Sequence, residues 1–148
     1  MNASIEAVRV ANTPDGPVPV VLLAVEDETD ILPIFIGFEE AASIARGMDA
    51  IDIGRPLTHD LMLDLVQELG GHIDHVEIST LEDETYIADL YLNTPRDTTV
   101  IDARPSDTLA LVSRTNAPIH ISDAVFEDGR RPLADFDELR DIREVGQL

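Results

Sequence analysis

The stretch IDARPSD (residues 101–107) decides how this chain is organised, because it joins a strand-type run to a helix-type run. Residues 98–101 before it are β-type, and residues 108–114 after it have helical character. Two carboxylates, a guanidinium and a hydroxyl therefore fall at one strand-to-helix turn, a position that often carries chemistry. A second stretch, RPLTHD (residues 55–60), has the same Arg-Pro opening and also leads into a helix. Two matching helix entrances suggest one shared site.

Length and composition indicate a single compact domain. The chain has 148 residues, of which 44% are hydrophobic, and this is enough to bury a core without disulfides or metal. It has no cysteine, which fits the cytoplasm. Residues 1–10 mix Glu6 and Arg9 into an apolar run, so they are neither a signal peptide nor a membrane span. We expect a soluble, cytoplasmic protein with no membrane partner.

The charge balance is strongly acidic. Thirty acidic residues stand against ten basic ones, giving a net charge of −20, and all ten basic residues are arginine. The acidic residues are spread through a periodic, apolar sequence, so disorder is a poor explanation. We favour a halophilic protein from a high-salt cytoplasm, where self-repulsion is screened within roughly 3 Å. The alternative is a low-salt acidic protein that avoids anionic partners, and a stability titration against KCl separates the two.

The first third of the chain reads as strands followed by a helix. Residues 4–11 and 18–25 are strand-like, and the turn formers between them predict a hairpin. Residues 31–36 predict a third strand, in which Pro33 favours an edge or a bulge. A stripe of residues at helical spacing then predicts a helix, comprising Ala41, Ile44, Ala45 and Met48.

The rest of the chain predicts three more helices, the last of them weak, and several strands. A helix over residues 58–69 has Thr58 as a plausible N-cap and Asp60 at the positive end of its dipole. A third helix covers residues 106–115. Residues 135–145 predict a polar, weakly amphipathic helix that is a poor core element and could be a frayed or docking tail. The remaining strand-type runs are residues 73–79, 85–92, 98–101 and 119–121.

An internal echo appears when the chain is shifted by 67 residues against itself. Each half then becomes three strands and a helix, so a mixed β-sheet with a β-β-β-α duplication is one interpretation. In this alignment Glu40 overlies Asp107, and the two carboxylates would face one cleft.

The two Arg-Pro stretches hold the residues best suited to phosphodiester chemistry. Each of Asp60 and Asp107, taken alone, is explained by capping or the helix dipole, worth roughly 0.3–1 kcal/mol, and Arg55 and Arg104 by surface ion pairs. Their recurrence in the same order favours a functional reading. Carboxylates can hold Mg²⁺ or Mn²⁺ or position a water, and arginines can bind phosphate oxygens bidentately.

His59, at a helix start beside Asp60, is the most chemically useful histidine. It would suit general acid or base catalysis near neutrality, although an exposed helix-start residue is an equal explanation. The sequence contains no P-loop, dinucleotide fingerprint, nucleophile elbow or zinc-ligand spacing. Phosphodiester hydrolysis therefore remains the chemistry to which the pattern points.

Three segments together resemble the bifunctional nuclease (BFN) domain family: LPIFIGFEEAASIA (residues 32–45), RPLTHDLMLDLVQELGG (residues 55–71) and IDARPSDTLALVSRTNAPI (residues 101–119). The resemblance covers about residues 4–125. It implies a compact α+β domain that often forms homo-oligomers and has nuclease activity on RNA and DNA. We therefore predict a BFN-like domain at residues 1–125 and an acidic C-terminal tail or helix at residues 126–148.

From chemistry and motif position we assign candidate roles to eight residues. The catalytic candidates are His59, Asp60, Asp102, Asp107 and Glu40. The substrate-binding candidates are Arg55, Arg104 and Ser106, and the candidate metal ligands are Asp60 and Asp107.

Three functions remain open. The first is a metal-assisted phosphodiesterase acting on RNA or DNA. The second is a non-catalytic, homo-oligomeric module that binds a ligand or a protein, and the third is a regulator that binds nucleic acid without cutting it. The scarcity of basic residues argues against easy capture of nucleic acid.

Overall fold

Two antiparallel three-stranded units, one from each half of the chain, form most of a mixed sheet. The structure is a computed structural model that describes residues 1–50 and 54–145. The first unit is β1 (Asn2–Thr13), β2 (Gly16–Val25) and β3 (Asp30–Phe35), and the second is β4 (His72–Glu82), β5 (Thr85–Asn93) and β6 (Thr98–Ala103). The short strands are β7 (Ile119–Ile121), β8 (Arg131–Pro132) and β9 (Arg140–Asp141). The α-helices of the described ranges are α1 (Phe38–Met48), α2 (Thr58–Glu68), α3 (Pro105–Thr115) and α4 (Asp123–Gly129).

Strand β7 joins the two units into one sheet. The strand order is β6-β5-β4-β7-β1-β2-β3-β8, and β9 pairs with β1. Strand β7 runs parallel to β4 and antiparallel to β1, so the sheet is mixed. The predicted α+β class and single domain are confirmed, with four α-helices in the described ranges where about three were expected. Each half places three strands before a helix, as the 67-residue echo predicts, whereas duplication itself stays a prediction.

The β1–β2 hairpin forms where the turn residues predict it. Thr13 pairs with Gly16 at its end, and the Thr13 hydroxyl donates to the Gly16 carbonyl at 2.6 Å. Gly16 has a φ of 112°, a left-handed conformation that favours glycine at this position. Pro33 of β3 lies beyond the two residues that β8 covers, so its missing N–H faces an open edge, in agreement with the prediction for that proline.

The main core lies between the sheet and helices α1 and α3. Ile44 of α1, Leu109 of α3 and Phe126 of α4 are fully buried against sheet residues. Helices α1 and α3 approach closely at Gly47, because a Cβ at that position would overlap the side chain of Ser113. A smaller cluster on β1, β2 and β3 includes Phe136.

The C-terminal segment differs from its prediction. Residues 135–145 do not form a helix: two 3₁₀ helices, Leu133–Phe136 and Ile142–Glu144, flank strand β9. Phe136 and Ile142 are buried, so the expectation of a poor core element is wrong. The division of the chain at residue 125 stays a prediction.

Helices α2 and α3 are equally long but packed differently. Each has 11 residues, and seven residues of α3 are buried whereas none of α2 is. The predicted N-cap of α2 is also wrong, because Leu57 occupies that position and its N–H donates to the Asp60 carboxylate. Thr58 is instead the first helical residue. None of the helices in the described ranges is long and apolar enough to cross a bilayer.

Candidate functional site

The N-terminal ends of α1, α2 and α3 meet at an open cleft of about 620 Å³. Helix α1 follows β3 and α3 follows β6, so the equivalent helix of each half contributes its first turn. Helix α2 closes the third side. The described residues lining the cleft are Glu39, Glu40, Ala42, Ser43, Arg46, Leu57, Thr58, His59, Met62, Arg104 and Asp107.

Asp107 lies at the centre of the polar groups in this cleft. Its Oδ1 is 3.0 Å from His59 Nε2 and accepts from Arg104 Nη2 at 3.2 Å. Its Oδ2 accepts from Arg104 Nε at 2.9 Å. Burial raises the pKa of Asp107, but the hydrogen bonds from Arg104 and His59 outweigh it and leave that pKa below the usual carboxyl range. Asp107 is therefore ionised at neutral pH.

Arg104 links the two halves of the chain. It occupies the N-cap position of α3, three residues before Asp107, and its Nη1 is 3.5 Å from Glu40 Oε1 on α1. The hydrogen bonds and charge of Asp107 raise the pKa of Arg104. Because a guanidinium has five N–H groups, these contacts leave one N–H on each terminal nitrogen for another acceptor. The side chain is 65% exposed, so a ligand can reach those donors.

The tautomer of neutral His59 follows from its two partners. An ionised carboxylate only accepts hydrogen bonds, so the contact with Asp107 requires a proton on His59 Nε2. Nδ1 of the neutral ring is then an acceptor, and the Ser43 hydroxyl donates to it at 2.6 Å. His59 is only 12% exposed. This nearly buried ring is therefore placed to fix the position of the Asp107 carboxylate.

Arg114 binds both Ser43, the second partner of His59, and Asp60. Its Nη2 donates to Ser43 Oγ at 3.2 Å and its Nη1 donates to the Ser43 carbonyl at 3.0 Å. Its Nε donates to Asp60 Oδ1 at 2.6 Å. The side chain is 10% exposed, so a nearly buried cation ties α3 to α1 and α2.

Asp60 serves this inner network instead of the cleft. It accepts from Arg114 and, through Oδ2, from the Leu57 N–H at 3.1 Å. Burial raises the pKa of Asp60, but the hydrogen bonds from Arg114 and Leu57 lower it further, so its pKa also lies below the usual range. The two first-turn aspartates thus have separate partners.

The other predicted site residues are not among the described residues that line the cleft. Asp102, exposed on β6, is opposite Asp89 of β5 and lines a neighbouring groove. Ser106 is buried at the start of α3 and lines a smaller pocket with Glu40 and Arg104. Arg55 is exposed before α2 and is not among the described residues that line the cleft.

Sequence reasoning missed Ser43 and Arg114. Both could have been found from helical spacing: Ser43 follows Glu40 by three residues, and Arg114 follows Asp107 by seven, which places each pair on one helix face. A search for polar residues on the faces of Glu40 and Asp107 would have selected both.

The donor set does not form a ready metal site. Across residues 1–50 and 54–145, no group of three or more His, Asp or Glu side chains is placed to hold a metal ion. The oxygens of Asp60 and Asp107 already accept from Arg114, Leu57, Arg104 and His59. A cation at either carboxylate would lie next to a guanidinium, and the repulsion between the two positive charges opposes its binding.

A comparison with protein families decides the relationship of this chain. A model of the bifunctional nuclease domain matches residues 21–133, a range that contains the whole cleft. The chain belongs to the bifunctional nuclease domain family.

Similar proteins share this BFN domain at moderate identity. Proteins of two Mycobacterium tuberculosis strains, both named as uncharacterized, are 40% identical over 107 residues, which is 72% of this chain and 63% of each relative. Bifunctional nuclease 2 of Arabidopsis thaliana is 29% identical over 136 residues, which is 84% of this chain and 41% of the plant protein. Bifunctional nuclease 1 of the same plant is 27% identical over the same length. This chain therefore matches less than two thirds of the length of each of these relatives.

Proposed function

We propose that this chain is a phosphodiesterase that cleaves RNA or DNA in the cleft between α1, α2 and α3. The observation that carries the proposal is the open arrangement of Arg104 and Asp107, with His59 behind the carboxylate and Glu40 across from it. Membership of the BFN domain family and the names of the two plant relatives support the same activity.

Arg104 binds the phosphate in this proposal. Its two uncommitted N–H groups, one on each terminal nitrogen, match two oxygens of a phosphodiester. A guanidinium in this position stabilises the negative charge that develops on phosphoryl oxygens in the transition state. Exposed Arg55 is proposed as a second, weaker phosphate contact.

The two carboxylates act on the attacking water. The lowered pKa of Asp107 makes it a weak proton acceptor, so its role is to orient the water through a hydrogen bond. Glu40 lies on the other side of Arg104 and is held only by the 3.5 Å contact, so it is the carboxylate free to accept the proton. His59 keeps Asp107 aimed at the cleft by donating a hydrogen bond from Nε2 to the carboxylate.

A requirement for Mg²⁺ or Mn²⁺ remains a separate prediction. The carboxylates predicted as metal ligands, Asp60 and Asp107, accept hydrogen bonds from Arg114 and Arg104, so the chain's own residues carry the proposed steps. Assays with Mg²⁺, with Mn²⁺ and with a chelator test this requirement directly.

Cleavage of labelled single-stranded RNA and DNA in molar KCl tests the proposal. Asp107→Asn and Arg104→Lys are each expected to lower kcat/KM by about a hundredfold, because each removes a group that acts on the reacting phosphate. Asp123→Asn is the matched control, since Asp123 also lies in the first turn of a helix but not in the cleft.

The outcome separates the remaining functions. Undiminished cleavage by both cleft variants would show that the site is elsewhere. An electrophoretic shift without cleavage would favour a regulator that binds nucleic acid.

The high-salt setting is part of the proposal. At a net charge of −20 the chain repels nucleic acid in dilute buffer, and molar KCl, as in a salt-rich cytoplasm, screens that repulsion to roughly 3 Å. We expect both folding stability and cleavage to rise with KCl. Unfolding midpoints that fall with KCl would favour the low-salt alternative.

The second candidate function is a homo-oligomeric binding module, and the exposure of α2 and β6 favours it. Leu61, Leu65 and the C-cap residue Leu69 form one exposed row along α2, and Val100 and Ile101 are exposed on opposite faces of β6. Strand β6 is also the end of the sheet, so its outer edge can pair with another strand. We propose that a second copy of the chain covers this surface.

Sedimentation of purified variants tests self-association. Leu65→Asp and Val100→Asp should shift an oligomer to monomer, because each places a charge on the proposed contact. Val145→Asp is the control, at an exposed apolar residue in the C-terminal segment. A wild-type monomer at high protein concentration would rule out this interface.

A further inference from the structure

A second cavity opens beside the polar cleft and shares part of its wall. This apolar groove has a volume of about 600 Å³ and lies between α2, α3 and strands β5 and β6. Met62, Arg104 and Asp107 line both cavities. A molecule bound at Arg104 can therefore extend from the polar cleft into the groove.

We propose that the groove binds the base of the nucleotide whose phosphate lies on Arg104, so that the substrate is unpaired nucleic acid. The inference rests on the proposed phosphodiesterase function and names its substrate class. A nucleotide joins an anionic phosphate to a flat base with apolar faces. The two cavities offer the matching pair of surfaces, a guanidinium and an apolar wall.

The walls of the groove suit a base without selecting its identity. Leu63 and Val66 of α2 face Leu92 of β5 and Ile101 of β6 across it. Such side chains pack on the faces of any base. The lining also holds the hydroxyls of Thr85, Tyr86 and Thr108, which can each donate or accept and so do not select one base. The charged residues lining the groove, Asp102, Arg104 and Asp107, adjoin one another in sequence. The groove therefore fits bases of RNA and DNA alike.

Entry into the groove requires a base that is free of its neighbours. In a duplex both faces of a base are stacked and its edge is paired, and moving it out costs a few kcal/mol. An unpaired base makes this move at much lower cost. Single strands are therefore the preferred substrate.

Binding of small probes in molar KCl tests the groove separately from cleavage. Adenosine monophosphate and ribose 5-phosphate share the phosphate and the sugar but differ in the base. Adenosine monophosphate should bind at least about tenfold more tightly, the range expected for packing one base. Calorimetry or NMR titration gives both dissociation constants.

Filling the groove provides the matching variants. Val66→Phe places a ring in the groove, and it should abolish the tenfold advantage and lower cleavage of single strands. Leu65→Phe is the control, on the same helix but outside the groove lining. If Val66→Phe fails to fold by circular dichroism, Ile101→Trp, at a half-exposed wall residue, takes its place.

The results distinguish the groove from the proposed function. Equal binding of the two probes, or an advantage that Val66→Phe leaves intact, would overturn the groove proposal even if the protein cleaves nucleic acid. A groove-dependent advantage without cleavage would retain the base site and reject the phosphodiesterase. Equal cleavage of single strands and duplex would overturn the substrate class. A change in sedimentation with Val66→Phe, without a change in nucleotide binding, would assign the groove to a second copy.

Discussion

Helices α2 and α3 both have an Arg-Pro pair near their start and have the same length, yet they hold opposite positions in the molecule. Helix α3 lies in the core between the sheet and α1, whereas α2 lies on the surface with its leucine row exposed. Their first-turn aspartates also point in different directions. Asp60 of the surface helix turns inward to a nearly buried arginine, and Asp107 of the core helix turns outward into the cleft. A shared sequence signature thus marks two helix starts without stating which one faces the ligand.

The largest expected contrast between the helices is in side-chain burial. Leu109→Ala in α3 removes a fully buried side chain and should lower the free energy of unfolding by about 3 kcal/mol. Leu65→Ala in α2, at a residue 55% exposed, should cost less than about 0.5 kcal/mol in the monomer. Urea unfolding below the concentration of self-association measures both. Similar losses for the two variants would contradict the exposed position of Leu65 in the monomer.

The next contrast is between the two arginines that hold the aspartates. Arg114→Met should cost about 2 kcal/mol, because it leaves Asp60 and Ser43 without their partner in a partly buried place. Arg104→Met should cost less than about 0.5 kcal/mol, since its ion pairs are exposed. Thermal unfolding compares them. A larger loss for Arg104→Met would place the structural arginine at the cleft instead.

The smallest contrast concerns acid. The folded-state pKa values of Asp60 and Asp107 are lowered, so the stability they contribute is present above about pH 4, the unfolded value, and is lost as pH falls through the folded pKa. Asp60→Asn and Asp107→Asn should each lower stability at pH 7 by less than about 1 kcal/mol. Urea unfolding between pH 2 and pH 7 should show the variant and wild-type curves converging in acid. Curves that stay parallel would show that the partners do not lower the pKa of either carboxylate.

Much of the fold was predictable because periodicity is a local property. The hairpin, the three long helices and the strands of both units follow from alternation, helical stripes and turn residues. The C-terminal segment escaped prediction because Phe136 and Ile142 are stabilised by distant strands, and nothing in residues 133–145 states which partner is available. The exposure of α2 escaped for a related reason. An apolar row predicts a helix but not the surface that covers it.

Only the residues at the helix starts of the candidate site were predicted from the sequence. Glu40, His59, Arg104 and Asp107 were selected from the sequence and lie in one cleft, whereas their catalytic roles remain predictions. Ser43 and Arg114 carry no local motif, and their importance comes from contacts over 16 and 71 residues of chain. Helical spacing can select such residues, but it does not state which distant groups they bind.

The three residues of β7 set the order in which this protein can be assembled. Each half is a local meander that can begin to fold by itself, but β7 must pair with both β1 and β4 before the halves share one sheet. Glu40 comes from the first half and Arg104 from the second, so their contact depends on that closure. Because pairing between distant segments is slow, the cleft is expected to form late, after residue 121 has left the ribosome.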